Sequence, residues 1–166
     1  MFSSYTDDRM QLVPKRYFTA SGKGVSATSG LNAFDRALMS AGIGEQNLVA
    51  VSSVIPEGSE KTGPEEMRMG AVTHCVISQI RGEGGDLISA GIAYACRKDG
   101  KGGYVAEGHL HGKADGLRAE LGRKMKEMSE IRNTAFGEIS FVIEEMLVPD
   151  GMHGCCVAAL VFTEYS

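Results

Sequence analysis

The last apolar segment of the chain, HGCCVAALVFTEY at residues 153–165, constrains the fold most strongly. A strand with one face in water alternates apolar and polar residues, whereas this segment is apolar along almost its whole length. It therefore predicts a central strand that is buried on both faces. Such a strand needs further layers above and below it, which favours an α+β sandwich of helices on sheets.

The other periodic segments predict more strands and two helices. Residues 114–133 predict the clearest helix, because apolar side chains recur every three or four residues and charged ones fill the other face. Its apolar positions are Leu117, Leu121, Met125, Met128 and Ile131. Residues 31–42 predict a shorter helix, with Ser29 or Asn32 as its N-terminal cap and Gly42 at its end. The segments that predict further strands are 47–53, 69–80, 86–96, 102–112 and 137–148.

Length, charge and hydropathy limit the class of protein. The 166 residues fit one domain, and a net charge of −4 argues against nucleic acid or an anionic membrane as the main partner. No apolar run reaches the roughly 20 residues that a membrane-spanning helix needs. The first residues include two Asp and lack the apolar core of a signal peptide. We therefore expect a cytoplasmic protein with a flexible leader at 1–12 and a single domain at 13–166.

Cysteine and histidine spacing predicts no metal centre. The four cysteines match neither a disulfide framework nor a zinc module. His109 and His111 lie on one face of a predicted strand, but no third ligand stands near them in the sequence. The glycine-rich stretches do not match a phosphate-binding loop.

Polar side chains interrupt apolar surroundings at three places. Ser52 and Ser53 end the strand predicted at 47–53, where their hydroxyl groups suit a turn. Asp35 stands in a predicted helix, where a solvated position on the polar side would accommodate it. Glu107 interrupts an apolar strand, so its carboxyl group must either face water or be buried with a raised pKa. In the second case it would be a candidate general acid.

Several blocks of the sequence, in the same order, resemble the pyruvoyl-dependent arginine decarboxylases of archaea and some bacteria. The most specific is LNAFDRALMSAGIGEQNLVAVSSVIP at 31–56, which is similar to the family's segment from the first helix through its processing site. The others are VPKRYFTASGKGV at 13–25, MRMGAVTHC at 67–75 and GGDLISAGIAYACRKDGKGGYVAEGHLHG at 84–112. The resemblance covers about residues 13–165.

The resemblance implies that the precursor cuts itself between Ser52 and Ser53. The cut would leave a β chain, 1–52, and an α chain, 53–166, with Ser53 converted into a covalent pyruvoyl group. That group would serve as the electron sink for decarboxylation of L-arginine to agmatine, as pyridoxal phosphate does in other enzymes.

The resemblance also implies roles for individual residues. Asn47 matches the family position that helps to stabilise the oxyanion of self-cleavage, and Glu107 matches the acid that protonates the α-carbon. For Glu107, burial beside an apolar strand is expected to keep the carboxyl group protonated. Asp35 matches the residue that pairs with the guanidinium group of the substrate. The residues expected to line the pocket are Leu31, Gly44, Val54 and Ile55.

For the assembly, the resemblance implies a four-layer αββα sandwich that forms trimers or pairs of trimers, with active sites between subunits. Asp35 and Glu107 would then act with a pyruvoyl group of another subunit. Two alternatives stay open. The same machinery could act on another amino acid or on S-adenosylmethionine, although Asp35 favours arginine. The chain could also be an unprocessed, non-catalytic paralogue, although the intact Ser52–Ser53 pair argues against it.

Overall fold

The computed structural model describes residues 11–165, which form a mixed α+β fold with two helices and two β-sheets. Residues 1–10 of the expected leader lie outside the described residues. The helices are α1 (Gly30–Ser40) and α2 (Ala114–Ile131). The strands are β1 (Pro14–Ser26), β2 (Asn47–Ala50), β3 (Val54–Ile55), β4 (Glu60–Lys61), β5 (Val72–Glu83), β6 (Leu87–Cys96), β7 (Gly103–Leu110), β8 (Ser140–Leu147) and β9 (His153–Tyr165).

The apolar last strand, β9, is the central strand of the first sheet, whose order is β2-β5-β9-β1-β4. It pairs in antiparallel fashion with β1 on one side and β5 on the other, and residues 154–163 are buried. The prediction of a central strand covered on both faces is therefore confirmed. The second sheet has the order β3-β7-β6-β8.

The first helix, α1, packs on β1 and β9 of the first sheet. The Ser29 hydroxyl caps it by accepting a hydrogen bond from the Asn32 N–H at 3.1 Å. Gly24 of β1 lets the helix approach closely, because a Cβ there would lie 2.6 Å from the backbone oxygen of Ala33. The missing side chain of Gly24 therefore allows α1 to pack close to the sheet.

The second helix, α2, packs on the second sheet through its apolar stripe. Leu117, Leu121 and Met125 are completely buried against alanines of β6 and β7. Ile131, which the pattern also placed in the stripe, is 71% exposed. The last turn of α2 borders an open pocket instead of the sheet, which explains the difference. Within residues 11–165, no helix is long and apolar enough to cross a bilayer.

A shared apolar core joins the two sheets face to face. Tyr17, Val76 and Leu160 of the first sheet meet Ile92 and Val105 of the second. Side chains on the opposite surfaces of the sheets contact α1 and α2. This core fixes how the two sheets lie against each other.

Candidate active site

Ser52 and Ser53 lie where the chain leaves the first sheet for the second. β2 is an edge strand of the first sheet, and β3 is an edge strand of the second. The Val51 N–H donates to the carbonyl oxygen of Cys75 at 2.9 Å, and the Val105 N–H donates to the carbonyl oxygen of Ser53 at 2.9 Å. The Ser52–Ser53 peptide bond is therefore held from both sides by strands of different sheets.

The strand predicted at 47–53 is consequently shorter, because β2 ends at Ala50. After Val51, which is still hydrogen-bonded to Cys75, the chain turns away from β5 and crosses to β7. Ser52 is exposed, and none of the hydrogen bonds among residues 11–165 involves it. Ser52 therefore links two residues, Val51 and Ser53, that are each hydrogen-bonded to a strand, and has no hydrogen bond of its own among the described residues.

Ser53 and Glu107 line one open pocket of about 290 Å³. Pairing of β3 with β7 sets Val54 opposite Tyr104, so Ser53 lies beside Val105, two residues before Glu107. The far wall comes from the last turns of α2. The structure therefore brings Glu107 together with Ser53 of its own chain.

The Glu107 side chain is exposed in the single chain. The expectation that this side chain is buried beside an apolar strand is therefore wrong for the isolated chain. β3 covers β7 only as far as Tyr104, so the edge of β7 around Glu107 has no neighbouring strand in this sheet. Glu107 therefore stands at an open edge, in the pocket that α2 borders.

Lys124 is the cation closest to this arrangement among the residues that line the pocket. Its ammonium group donates to the carbonyl oxygen of Glu107 at 2.9 Å and lies 3.0 Å from a carboxylate oxygen of Glu120. Glu127, one turn further along α2, brings a second carboxylate to the pocket. The pocket therefore combines two acidic residues and one lysine with Ser53.

Asn47 stands at the opposite end of β2 from the serine pair. Its side-chain amide donates to the carbonyl oxygen of Gly70 at 3.0 Å. Val51 is four positions further along the extended chain, which places the two Cα atoms about 13 Å apart. Within one chain the Asn47 amide therefore does not reach the Ser52 carbonyl group.

Asp35 and Leu31 are exposed on α1, which covers the first sheet. The pocket with Ser53 lies beside α2, which covers the second sheet. Gly44 follows α1 and packs closely against Met39, so a Cβ there would overlap the Met39 side chain. The structure does not bring these three residues into the Ser53 pocket of their own chain.

The two residues that follow Ser53 have different surroundings. Val54 is 54% exposed, so its side chain is free to line a binding surface. Ile55 is 1% exposed and belongs to the core between the sheets. The expectation that Ile55 lines the pocket is therefore wrong, because its side chain anchors β3 from inside.

A second cavity, of about 310 Å³, borders the other side of the serine pair. Val51 and Val54, which flank the pair, line it together with His74 and Tyr165. The His74 Nδ1 atom and the Tyr165 hydroxyl group form a 2.6 Å hydrogen bond, and burial raises the pKa of Tyr165.

Sequence reasoning did not identify Lys124, Glu127, His74 or Tyr165 as site residues. The helical pattern assigned the two α2 residues to a solvent-facing side, which is where they lie. Nothing in that pattern showed that β7 runs beside the same side. His74 carried no signal, because its partner is 91 residues away in the sequence.

Comparisons with known proteins give a consistent result. The family model for pyruvoyl-dependent arginine decarboxylase matches residues 16–166. A pyruvoyl-dependent arginine decarboxylase of Methanopyrus kandleri is 34% identical over 150 residues, which cover 90% of this chain and 97% of the relative. The pyruvoyl-dependent arginine decarboxylase of Methanothermobacter thermautotrophicus is 33% identical, over 81% of this chain and 87% of the relative. The pyruvoyl-dependent arginine decarboxylase of Pyrococcus furiosus is 31% identical, over 93% of this chain and 98% of the relative.

Proposed function

Because the chain belongs to the pyruvoyl-dependent arginine decarboxylase family, we propose that it cuts itself between Ser52 and Ser53 and then converts L-arginine to agmatine and carbon dioxide. The observation that carries the proposal is the shared pocket of Ser53 and Glu107. It places the residue that would become the cofactor beside a carboxyl group able to deliver a proton.

For self-cleavage, the Ser53 hydroxyl oxygen attacks the Ser52 carbonyl carbon. The Ser52–Ser53 C–N bond breaks, the nitrogen takes the hydroxyl proton, and an ester forms. Loss of the Ser53 α-proton then breaks the Cβ–O bond and releases Ser52 as a carboxylate. Hydrolysis of the remaining dehydroalanine consumes water, releases ammonia and leaves a pyruvoyl group at position 53 of the α chain, 53–166.

The backbone around the serine pair fits this chemistry. Ser52 has no hydrogen bond among residues 11–165, so this junction between two anchored strands has room to bend as the ester requires. The Val105 N–H holds the Ser53 carbonyl group, which stays attached to position 53 after the cut. That hydrogen bond would fix the orientation of the pyruvoyl group in the pocket.

The pyruvoyl group, once formed, supplies a ketone that condenses with the substrate amine and withdraws electrons as carbon dioxide leaves. We assign to Glu107 the delivery of a proton to the α-carbon. The acidic side chains of Glu107 and Glu127 favour a cationic substrate in the pocket. Met128 and Ile131 offer an apolar surface for the aliphatic part of arginine.

We further propose a four-layer αββα sandwich that assembles as a trimer or a dimer of trimers. The packing of α1 and α2 on opposite surfaces of the paired sheets supports the layer order. Asn47 and Asp35 support the assembly, since neither reaches Ser53 in its own chain. A neighbouring copy would supply both and would cover the Glu107 carboxyl group. A cytoplasmic location is proposed from the sequence alone.

The test combines denaturing mass spectrometry of the purified protein with carbon dioxide release from labelled arginine. We expect two fragments, 1–52 and 53–166, with the second carrying the pyruvoyl mass, and release of label from arginine. A single full-length species without release would reject the proposal. Release from S-adenosylmethionine in place of arginine would assign the same machinery to that substrate.

A further inference from the structure

The Lys124 ammonium group lies in the pocket and can still donate a hydrogen bond to a ligand. An ammonium group has three N–H donors. One of them donates to the Glu107 carbonyl oxygen at 2.9 Å, and a second can face the Glu120 carboxylate, which forms an ion pair with the ammonium group at 3.0 Å. Gly108 makes room for this position, because a Cβ there would lie 3.2 Å from the ammonium nitrogen. The third donor has no partner among residues 11–165 and is available to a ligand.

The position of this ammonium group along β7 suits one part of an amino acid. Val105 holds the Ser53 carbonyl group, and Glu107, whose carbonyl oxygen holds Lys124, lies about 7 Å further along the strand. An α-amino acid whose nitrogen reaches position 53 carries its carboxylate on the adjacent carbon. The gap between position 53 and the ammonium group is therefore of a size that suits this carboxylate.

From this geometry we propose that Lys124 binds the α-carboxylate of the substrate, an inference that rests on the function proposed above. A charge-assisted hydrogen bond from an ammonium group orients the carboxylate beside Glu107. Glu120 partly neutralises the ammonium group, so the carboxylate is positioned without the full ion pair that would resist its loss as carbon dioxide. The product lacks a carboxylate and loses this contact, which favours its release.

Two guanidinium compounds that differ only in the carboxylate isolate the contact. 5-Guanidinopentanoate keeps the guanidinium and carboxylate groups of arginine without the α-amine, and butylguanidine lacks the carboxylate as well. Neither is decarboxylated, so calorimetry on the processed protein measures their dissociation constants directly. Lys124→Gln removes the charge, and Lys124→Arg retains it. Lys126→Gln is the matched control, since Lys126 lies on the same helix outside the pocket and pairs with Glu130.

We expect Lys124→Gln to weaken 5-guanidinopentanoate about tenfold or more, since hydrogen bonds to charged groups are of that strength. Butylguanidine should bind as it does to the unsubstituted protein, and Lys124→Arg and Lys126→Gln should leave both ligands unchanged within about twofold. Equal weakening of both ligands by Lys124→Gln would overturn the inference, because it indicates a structural role. No weakening of the carboxylate ligand, or no binding of either ligand to the unsubstituted protein, would overturn it too. Absence of arginine turnover with the expected ligand pattern intact would reject the proposed reaction alone.

Discussion

Gly102 controls the approach of β3 to β7 and therefore the position of Ser53. Its φ angle is +84°, and a Cβ there would lie 2.5 Å from the carbonyl oxygen of Ile55 and 3.1 Å from the nitrogen of Glu57. Gly102→Ala must push the start of the α chain away from β7. The hydrogen bond from Val105 that holds the Ser53 carbonyl group would lengthen as a result.

The magnitude follows from two separate costs. An alanine in the left-handed region costs about 1–2 kcal/mol relative to glycine. Overlap with the backbone of β3 adds about 1–3 kcal/mol, the usual cost of overpacking. Gly100 offers a matched control: its φ angle is +77°, but a Cβ there would meet no atom within 4 Å, so only the first cost applies to Gly100→Ala.

The assay separates stability from processing. Urea unfolding in a Ser53→Ala background gives the free energy of unfolding of the uncut chain. Mass spectrometry of the Ser53 form after timed incubation gives the rate of self-cleavage. We expect Gly102→Ala to lose about 1–3 kcal/mol more than Gly100→Ala, and to cleave at least several-fold more slowly. Equal stability and equal cleavage rates for the two variants would refute the reasoning.

Further predictions concern the pocket, the assembly and the thiols. Glu107→Gln should still self-cleave but lose about 100-fold or more in kcat for arginine; full activity would contradict the assignment of the acid. Asp35→Ala should mainly raise KM for arginine, and an unchanged KM in steady-state assays would count against the guanidinium pairing. Coexpressed Asn47→Ala and Ser53→Ala chains should restore cleavage of the Ser53-containing chain if Asn47 acts across subunits, whereas each variant alone stays uncut. Burial raises the pKa of Cys75 and Cys155 to about 11 and that of Cys156 to about 12, so only the exposed Cys96 should react with a thiol reagent at pH 8 in the folded protein.

Elements whose apolar pattern reflects burial could be predicted from the sequence. β9 was predicted as a central strand because a strand covered on both faces has no polar alternation. The buried face of α2 was predicted for the same reason, up to the turn where the helix leaves the sheet. β3 and β4 were missed, since strands of two residues carry no period to detect. β3 is nevertheless the element that places Ser53 beside β7.

The sequence predicted those site residues whose chemical role can be recognised from their own position in the chain. Ser53 and Glu107 were identified through the resemblance, and the fold puts both in one pocket. The burial expected of Glu107 failed because an apolar strand at a sheet edge still has one open side. Lys124 was not predicted as a site residue, because lysines are common on the polar side of a helix. Its significance depends on a strand that passes beside that side.

The location of the serine pair explains how a folded protein could tolerate the loss of a backbone bond. A cut between Ser52 and Ser53 would assign β1, α1 and β2 to one chain and every other element to the second. β1 would stay between β9 and β4, paired with β9 from Pro14 to Ser26, and α1 would stay packed on both strands of that pair. No described hydrogen bond of Ser52 would be lost. The first sheet would therefore hold the short chain in place. The cut would free the backbone at Ser52 and Ser53, which is where self-cleavage requires a bend.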